Sequence, residues 1–185
     1  MVEIRQFDAA AGRAYLGALA AVLVDCVEGG ASVSFMAPFP VEAAEAFFRK
    51  ALDEVELGHR ILLAAFIDTE LVGTVQIVMA TPPNQPHRAD VAKLLVLRSA
   101  RGHGIGQRLM EQVEEVSWSA GKTLLVLDTV TGESGERLYR RMGWTAAGVI
   151  PDYALFPDGR FCDTTIFWKK LGATVALPQR RSGIR

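Results

Sequence analysis

The sequence has few of the residues that mark several large classes of protein. Only two cysteines, Cys26 and Cys162, occur among its 185 residues, and two are too few for the disulfide framework of a small secreted domain. The three histidines stand at no metal-ligand spacing from these cysteines, so the pattern predicts no metal site. Two buried thiols in a cytoplasmic protein are the simplest interpretation.

Positive and negative residues nearly balance, with 20 Lys and Arg against 21 Asp and Glu. A net charge of −1 argues against a general binder of nucleic acids or of membrane surfaces, because such a protein needs a basic face. The alanine-rich stretch 14–21 has no basic leader before it, and Tyr15, Leu19 and Cys26 fall on one face of a helix. We interpret this stretch as an amphipathic helix of a cytoplasmic protein rather than as a signal sequence.

Length and composition set the expected number of domains. Half of the residues are apolar (50%), which gives a single domain of this size an ample core. No internal repeat occurs, and the apolar periodicity stops after Leu171. We therefore expect one domain over residues 1–171 and a loosely ordered tail over residues 172–185, where Arg180, Arg181 and Arg185 gather.

A strand, a glycine-rich turn and a helix follow one another in the middle of the chain. Residues 91–97 are apolar except for Lys93, which suits a strand buried on most of both faces. Glycines 102, 104 and 106 come next, and a helical apolar pattern follows them. Glycines and a helix N-terminus together favour an anion site, because backbone N–H groups can approach the anion closely. The spacing fits neither the dinucleotide fingerprint nor the P-loop, and an ordinary strand-to-helix turn explains the same six residues equally well.

Strand and helix signals alternate along the rest of the chain. Strands are predicted at residues 2–7, 61–67, 71–79, 90–97, 123–127, 149–156 and 161–168. Helices are predicted from the N-cap Asp8 to near Gly29, from Pro40 to near Val55, from Ile105 to Ser119 and from Gly132 to near Met142. The crossover helix makes strands 90–97 and 123–127 parallel, and residues 157–160 predict a hairpin turn. The predicted class is α/β (α+β mixed sheet), with a central parallel strand pair and a C-terminal β-hairpin.

Arg101, Gly104 and Gly106 match the pattern Arg/Gln-x-x-Gly-x-Gly/Ala. In this motif and in the order of its elements, the chain resembles the GCN5-related N-acetyltransferases (the GNAT superfamily). Its later half is similar to one branch, the tabtoxin-resistance acetyltransferases, through stretches 87–91, 127–129 and 153–166. The resemblance implies a GNAT-like fold with acetyl-CoA as co-substrate and no metal. It also implies that the segment from Phe35 to Phe39 walls the acceptor pocket.

The resemblance implies a set of residues that bind acetyl-CoA. The glycine loop would hold the pyrophosphate, and the strand before it would pair with the pantetheine arm. Gly132 stands where many family members carry Asn, so that contact would pass to Ser134. The implied residues are Leu95, Val96, Leu97, Arg101, Gly102, His103, Gly104, Ile105, Gly106, Gln107 and Ser134.

Three side chains are candidates for proton transfer. Asp128 follows a parallel strand, where open sheets bind their ligands, and is well placed to act as a general base. Capping of the next helix is an equally simple role for it. Tyr139 matches the tyrosine that serves the family as general acid, although helical spacing also permits plain packing. Asp90 stands where the tabtoxin-resistance branch has a Glu regarded as a base.

The resemblance implies an acetyl-CoA-dependent N-acetyltransferase that moves the acetyl group directly to a primary amine. The expected acceptor is a small molecule, such as a toxin or antibiotic amino acid, and the expected state is a monomer or homodimer. No nucleic acid or membrane partner is expected. A protein or peptide amine as acceptor, or a non-catalytic acyl-CoA-binding module, are the alternatives.

Overall fold

The computed structural model describes residues 1–79 and 81–172, and its elements follow the predicted order. The strands are β1 (Val2–Phe7), β2 (Arg60–Ile67), β3 (Glu70–Val78), β4 (Arg88–Val96), β5 (Leu124–Val130), β6 (Thr145–Leu155) and β7 (Phe161–Lys170). The helices are α1 (Ala9–Ala14), α2 (Leu16–Glu28), α3 (Val41–Glu56), α4 (Ile105–Ser119) and α5 (Ser134–Arg141). A short 3-10 helix, Arg98–Ala100, lies between β4 and α4.

The seven strands form one mixed sheet in the order β1-β2-β3-β4-β5-β7-β6. β4 and β5 run parallel, as a helical crossover between them requires. The other neighbouring strands run antiparallel, and β6 and β7 form the C-terminal hairpin. The predicted class, a mixed sheet with a central parallel pair, is confirmed.

Apolar side chains cover both faces of the sheet. Alternate residues of β2 point to opposite faces, so that Leu62 and Leu63 are both fully buried but belong to different clusters. One cluster packs against α4 and the other against α2 and α3. Burial on both faces explains why β2 is almost continuously apolar after Arg60.

The first predicted helix is interrupted. Asp8 caps it as predicted and accepts a hydrogen bond from the Ala11 N–H at 2.7 Å, but the chain leaves helical dihedrals at Tyr15. The Tyr15 ring stacks on Phe7 at 5.3 Å and meets the edge of Phe66 at the same distance. The apolar periodicity continues across the break, which is why the sequence predicted one helix.

Several strand ends differ from the prediction by a few residues. β4 ends at Val96 rather than Leu97, and β6 begins at Thr145 rather than Val149. β5 continues to Val130, so Asp128 lies inside the strand. Of the predicted tail only Gly172 falls within the described residues. Among residues 1–79 and 81–172, no helix is long and apolar enough to cross a membrane.

Gly12 allows α1 to lie unusually close to α3. A Cβ atom at this position would stand 2.0 Å from Cδ2 of Leu52, and Leu52 is fully buried. A contact of that length cannot exist, so a larger side chain would require the buried Leu52 side chain or the helices themselves to shift. Gly17 in α2 has open space where its Cβ would be.

We expect Gly12→Ala to lower the free energy of unfolding by about 1–3 kcal/mol, the usual cost of overpacking a core. Gly17→Ala is the matched control and should leave stability unchanged or raise it slightly, because alanine favours the helix. Urea denaturation of both variants measures the difference. Equal stability of the two would contradict the close approach of α1 to α3.

Candidate active site

A cleft opens in the sheet where the two parallel strands separate. In the described chain β4 and β5 are paired from Arg88 to Asp90 with Leu124 to Val126, and beyond these positions they part. The cleft has a volume of about 1140 Å³ and is walled by β4, β5, the first turns of α4 and α5, and the segment after α2. It lies beyond the carboxyl ends of the parallel strands, where open sheets bind ligands.

A β-bulge in β4 accompanies this separation. Thr74 of β3 pairs with Leu95, whereas Gln76 pairs with Ala92, so β4 has one residue more than its partner over this stretch. Lys93 lies in the bulge and has a φ of +55°. Bulges bend and twist the strand that carries them, and this one directs β4 away from β5 just after their last paired residues.

The glycine loop presents backbone donors to the cleft. Gly102 and Gly104 have φ values of +84° and +74°, and Gly104 is the N-cap of α4. Within the described residues, the N–H groups of residues 102–107 donate to no acceptor, and the first bonded one is that of Arg108, which reaches the Gly104 carbonyl at 3.1 Å. Unbonded donors at the positive end of a helix are suited to binding an anion.

Contacts with α2 fix the start of this loop. Asp25 accepts hydrogen bonds from the backbone N–H and the Nε of Arg98, both at 2.8 Å. Burial opposes the ionised form, but the bonds from Arg98 hold the pKa of Asp25 below its ordinary value. The Arg101 guanidinium donates to the Val96 carbonyl at 3.1 Å and to the Cys26 sulfur at 3.7 Å. Arg101 therefore fixes the start of the loop to the end of β4 and to α2.

Asp128 stands on the cleft wall and caps no helix. It lies in β5 opposite Ile166 of β7, and its side chain is exposed to the cleft. Glu133 is the N-cap of α5, so the capping role considered for Asp128 is excluded. The carboxylate makes no hydrogen bond or ion pair with the described residues, which leaves both oxygens available to a ligand.

Tyr139 lies at the same cleft with its ring buried. The ring packs at 5.9 Å from Trp144 and 6.0 Å from Phe167, and the residue is 6% exposed. Burial, and after it the negative charge of Asp128, raise the pKa of Tyr139 well above its ordinary range. The phenol therefore keeps its proton at neutral pH and can act as a donor.

Not every candidate residue from the sequence reaches the cleft. Asp90 is ion-paired with Arg88 at 2.6 Å, the Leu97 N–H donates to the Val72 carbonyl at 2.9 Å, and the His103 ring lies 3.3 Å from the Ala100 carbonyl. None of these three lines the cleft. The candidates that do line it are Leu95, Val96, Arg101, Gly102, Gly104, Ile105, Gly106, Gln107, Asp128, Ser134 and Tyr139.

The segment after α2 closes one end of the cleft. Its Ser32 hydroxyl donates to the Leu155 carbonyl at 2.7 Å, and the Ala37 N–H donates to the Pro157 carbonyl at 3.1 Å. These bonds tie the segment to the β6–β7 hairpin. Phe35 and Met36 line the cleft, whereas Phe39 does not.

Lys93 is a site residue that the sequence did not single out. Its Nζ donates to the Ser34 hydroxyl at 3.0 Å. Burial lowers the pKa of Lys93; the charge of Asp128 opposes this shift and that of Arg60 adds to it. The available signal was a lone charged residue in an otherwise apolar strand. In the described chain, no group of three or more His, Cys, Asp or Glu side chains could hold a metal ion.

Comparison with known proteins finds similarity to acetyltransferases. The model of the acetyltransferase (GNAT) family matches residues 31–144. An N-acetyltransferase of Azospirillum brasilense, named as uncharacterized and encoded in the hisH–hisA intergenic region, is 32% identical over 106 residues, which are 56% of this chain and 61% of that protein. The match thus spans about three fifths of that relative's length.

Solved structures share the fold over most of the chain. An N-acetyltransferase from Staphylococcus aureus Mu50 has a TM-score of 0.77 and 18% identity, covering 93% of this chain and 99% of its own. The yncA protein of Salmonella typhimurium, solved with its cofactor acetyl-CoA, has a TM-score of 0.75 and 18% identity, covering 95% of this chain and 96% of its own. Identities at this level show the fold alone.

Proposed function

We propose, because the chain belongs to the acetyltransferase (GNAT) family, that it transfers the acetyl group of acetyl-CoA directly to a primary amine of a small molecule. The observation that carries the proposal is the arrangement of the cleft. An anion site at one end is joined by an unpaired strand edge to a free carboxylate and a protonated phenol. A toxin or antibiotic amino acid, as in the tabtoxin-resistance branch, is the finer form of the proposal.

The anion site and the strand edge support the proposal that the cleft binds acetyl-CoA. The free N–H groups of residues 102–107 suit a pyrophosphate, and Ser134 at the start of α5 adds a hydroxyl. Among the described residues, β4 has no neighbour on its β5 side beyond Asp90, and the amides of a pantetheine arm can pair with such an edge as an added strand does. In this proposal residues 1–171 form one catalytic domain.

The reaction removes two protons from the acceptor ammonium and supplies one to the sulfur. Asp128 takes one proton from the ammonium, and the neutral amine nitrogen then attacks the thioester carbonyl carbon and forms the C–N bond. The C–S bond breaks, and the departing sulfur takes the proton of Tyr139. The second proton of the nitrogen restores the phenol of Tyr139, and the proton held by Asp128 passes to solvent. The products are the acetylated amine, the free thiol of CoA and one proton.

Two arguments favour a small acceptor. A peptide α-amine titrates near 8 and a lysine near 10.4, so at pH 7 neutralising them costs roughly 1.4 and nearly 5 kcal/mol respectively, and a free amino acid lies between them. A single carboxylate can therefore assist an amino acid more readily than a lysine side chain. The segment bonded over the cleft through Ser32 and Ala37 also limits the room available to a folded protein surface.

The direct test is thiol release from acetyl-CoA when a panel of small amines is offered. We expect amine-dependent release by the wild-type protein, and a loss of roughly 10²- to 10⁴-fold in Asp128→Asn, the usual share of a positioned base. The loss should shrink as pH rises, because more of the amine arrives neutral. Asp90→Asn is the matched control and should keep most of the activity. A loss of the same size at every pH would contradict the proton-transfer role.

The placement of the pyrophosphate is tested at Gly104. We expect Gly104→Val to lower the affinity for acetyl-CoA at least about 10-fold, because its side chain would occupy the space in front of the free N–H groups. Gly121 at the far end of α4 is the matched control, since its φ is +77° and its Cβ would also meet open space. Gly121→Val therefore carries the same backbone strain. Calorimetry on both folded variants measures the difference, and equal affinities would refute the placement.

The role of Tyr139 is tested by removing its hydroxyl alone. We expect Tyr139→Phe to slow the chemical step about 10- to 10³-fold with little change in acetyl-CoA affinity, because a general acid acts on charge that develops only in the transition state. Tyr153, which also lines the cleft but is 53% exposed, supplies the control Tyr153→Phe. Single-turnover kinetics separate chemistry from product release. An unchanged rate would reduce Tyr139 to a packing residue.

A further inference from the structure

Lys93 is a partly buried cation that has no anionic partner among the described residues. Its Nζ has the Ser34 hydroxyl at 3.0 Å and the rings of Phe35 and Phe47 at 5.9 and 6.0 Å from their centroids. Among residues 1–79 and 81–172, no carboxylate forms an ion pair with it. A buried ammonium is costly unless it is paired, and a hydroxyl with two ring faces offsets only part of that cost.

Backbone strain is concentrated at the same contact. Lys93 has a φ of +55° and Ser34 a φ of +79°, so the two hydrogen-bonded residues both adopt a conformation that side chains other than Asn, Asp and Gly rarely take. Strain of this kind costs about 1–3 kcal/mol per residue and persists where the surrounding structure fixes it, commonly at binding sites. The geometry holds the ammonium at the cleft wall, which Lys93 and Ser34 both line.

The opposite wall of the cleft carries the complementary charge. Asp128 on β5 is exposed and makes no hydrogen bond with the described residues, and its charge is close enough to Lys93 to influence the titration of the ammonium. The guanidinium of Arg60 is a second positive charge acting on Lys93. One space is therefore bounded by a cation on β4 and an anion on β5, which are not in direct contact.

We propose that Lys93 binds the carboxylate of the acceptor while Asp128 faces its amino group, so that the acceptor is a free amino acid. This inference rests on the proposed acetyl transfer. It defines the substrate class by two opposite charges that line the same cleft. A simple amine lacks the anion, and the N-terminus of a peptide has an uncharged amide where the carboxylate would be.

The first test needs no variant. Each L-amino acid is compared with its own carboxamide, and thiol release from acetyl-CoA gives kcat/KM for both. We expect the acid to be preferred by roughly 10-fold or more for the amino acid that fits best, because hydrogen bonds to charged groups are among the strongest in proteins. The comparison is conservative, since the amine of a carboxamide is less basic and a larger share of it arrives neutral.

The second test assigns the preference to Lys93. Lys93→Met keeps the length of the side chain and removes its charge, and we expect it to lower kcat/KM for the acid roughly 10- to 100-fold, mainly through KM. The same variant should change kcat/KM for the carboxamide no more than a few-fold. Affinity for acetyl-CoA should stay unchanged. Lys93→Arg retains the charge and should recover part of the preference.

The outcomes separate this inference from the proposed function. If acids and carboxamides are acetylated equally well, or if Lys93→Met weakens both equally, the role of Lys93 is overturned while acetyl transfer stands. If no amine releases thiol although acetyl-CoA binds, the proposed function fails. Calorimetry with the same amino acids then decides on Lys93: binding that Lys93→Met abolishes supports the site, and equal or absent binding overturns it.

Discussion

β4 and β5 are paired over three register positions, and beyond Asp90 the facing edges of the two strands form no bond with each other in the part of the chain that the structure describes. Free N–H and C=O groups in the middle of a sheet are unfavourable unless water or a ligand satisfies them. The apolar clusters on the two faces hold the strands in this arrangement, and the bulge at Lys93 directs them apart. The sheet is therefore less stable than a continuous one would be, and the gap between β4 and β5 can accept a ligand that carries amide groups.

Much of the fold follows from local sequence patterns. Apolar alternation, the glycines near residue 104 and the turn at residues 157–160 correctly predicted the element order and the parallel pair. These signals depend only on residues that are close together in the chain, so they can be recognised in a single sequence. The break at Tyr15 could not be predicted from local patterns. It reflects the packing of the Tyr15 ring on Phe7 of β1 and Phe66 of β2, which are contacts between different elements.

The candidate site was predictable where backbone geometry decides and not where side-chain partners decide. The free N–H groups of the glycine loop follow from the glycines and the helix start. Asp90 forms an ion pair with Arg88. Residue spacing alone does not tell whether such a carboxylate faces a ligand or a neighbouring arginine. Lys93 interrupted an apolar run in sequence, but its meaning depends on the bulge and on Ser34, which lies 59 residues earlier in the chain.

Asp128 links the two proton-bearing groups of the cleft. Burial and, after it, the negative charge of Asp128 raise the pKa of Tyr139, and the same charge opposes the lowering of the pKa of Lys93 by burial. In the proposed reaction Asp128 becomes neutral when it takes the proton of the amine, and its contribution to the pKa of Tyr139 then disappears. The phenol becomes a better acid at the stage at which the sulfur needs a proton. In the same proposal, the loss of this charge would favour the neutral form of Lys93, and the carboxylate of the proposed acceptor would offset that effect. The proposed base would thereby make the proposed proton transfer from Tyr139 easier.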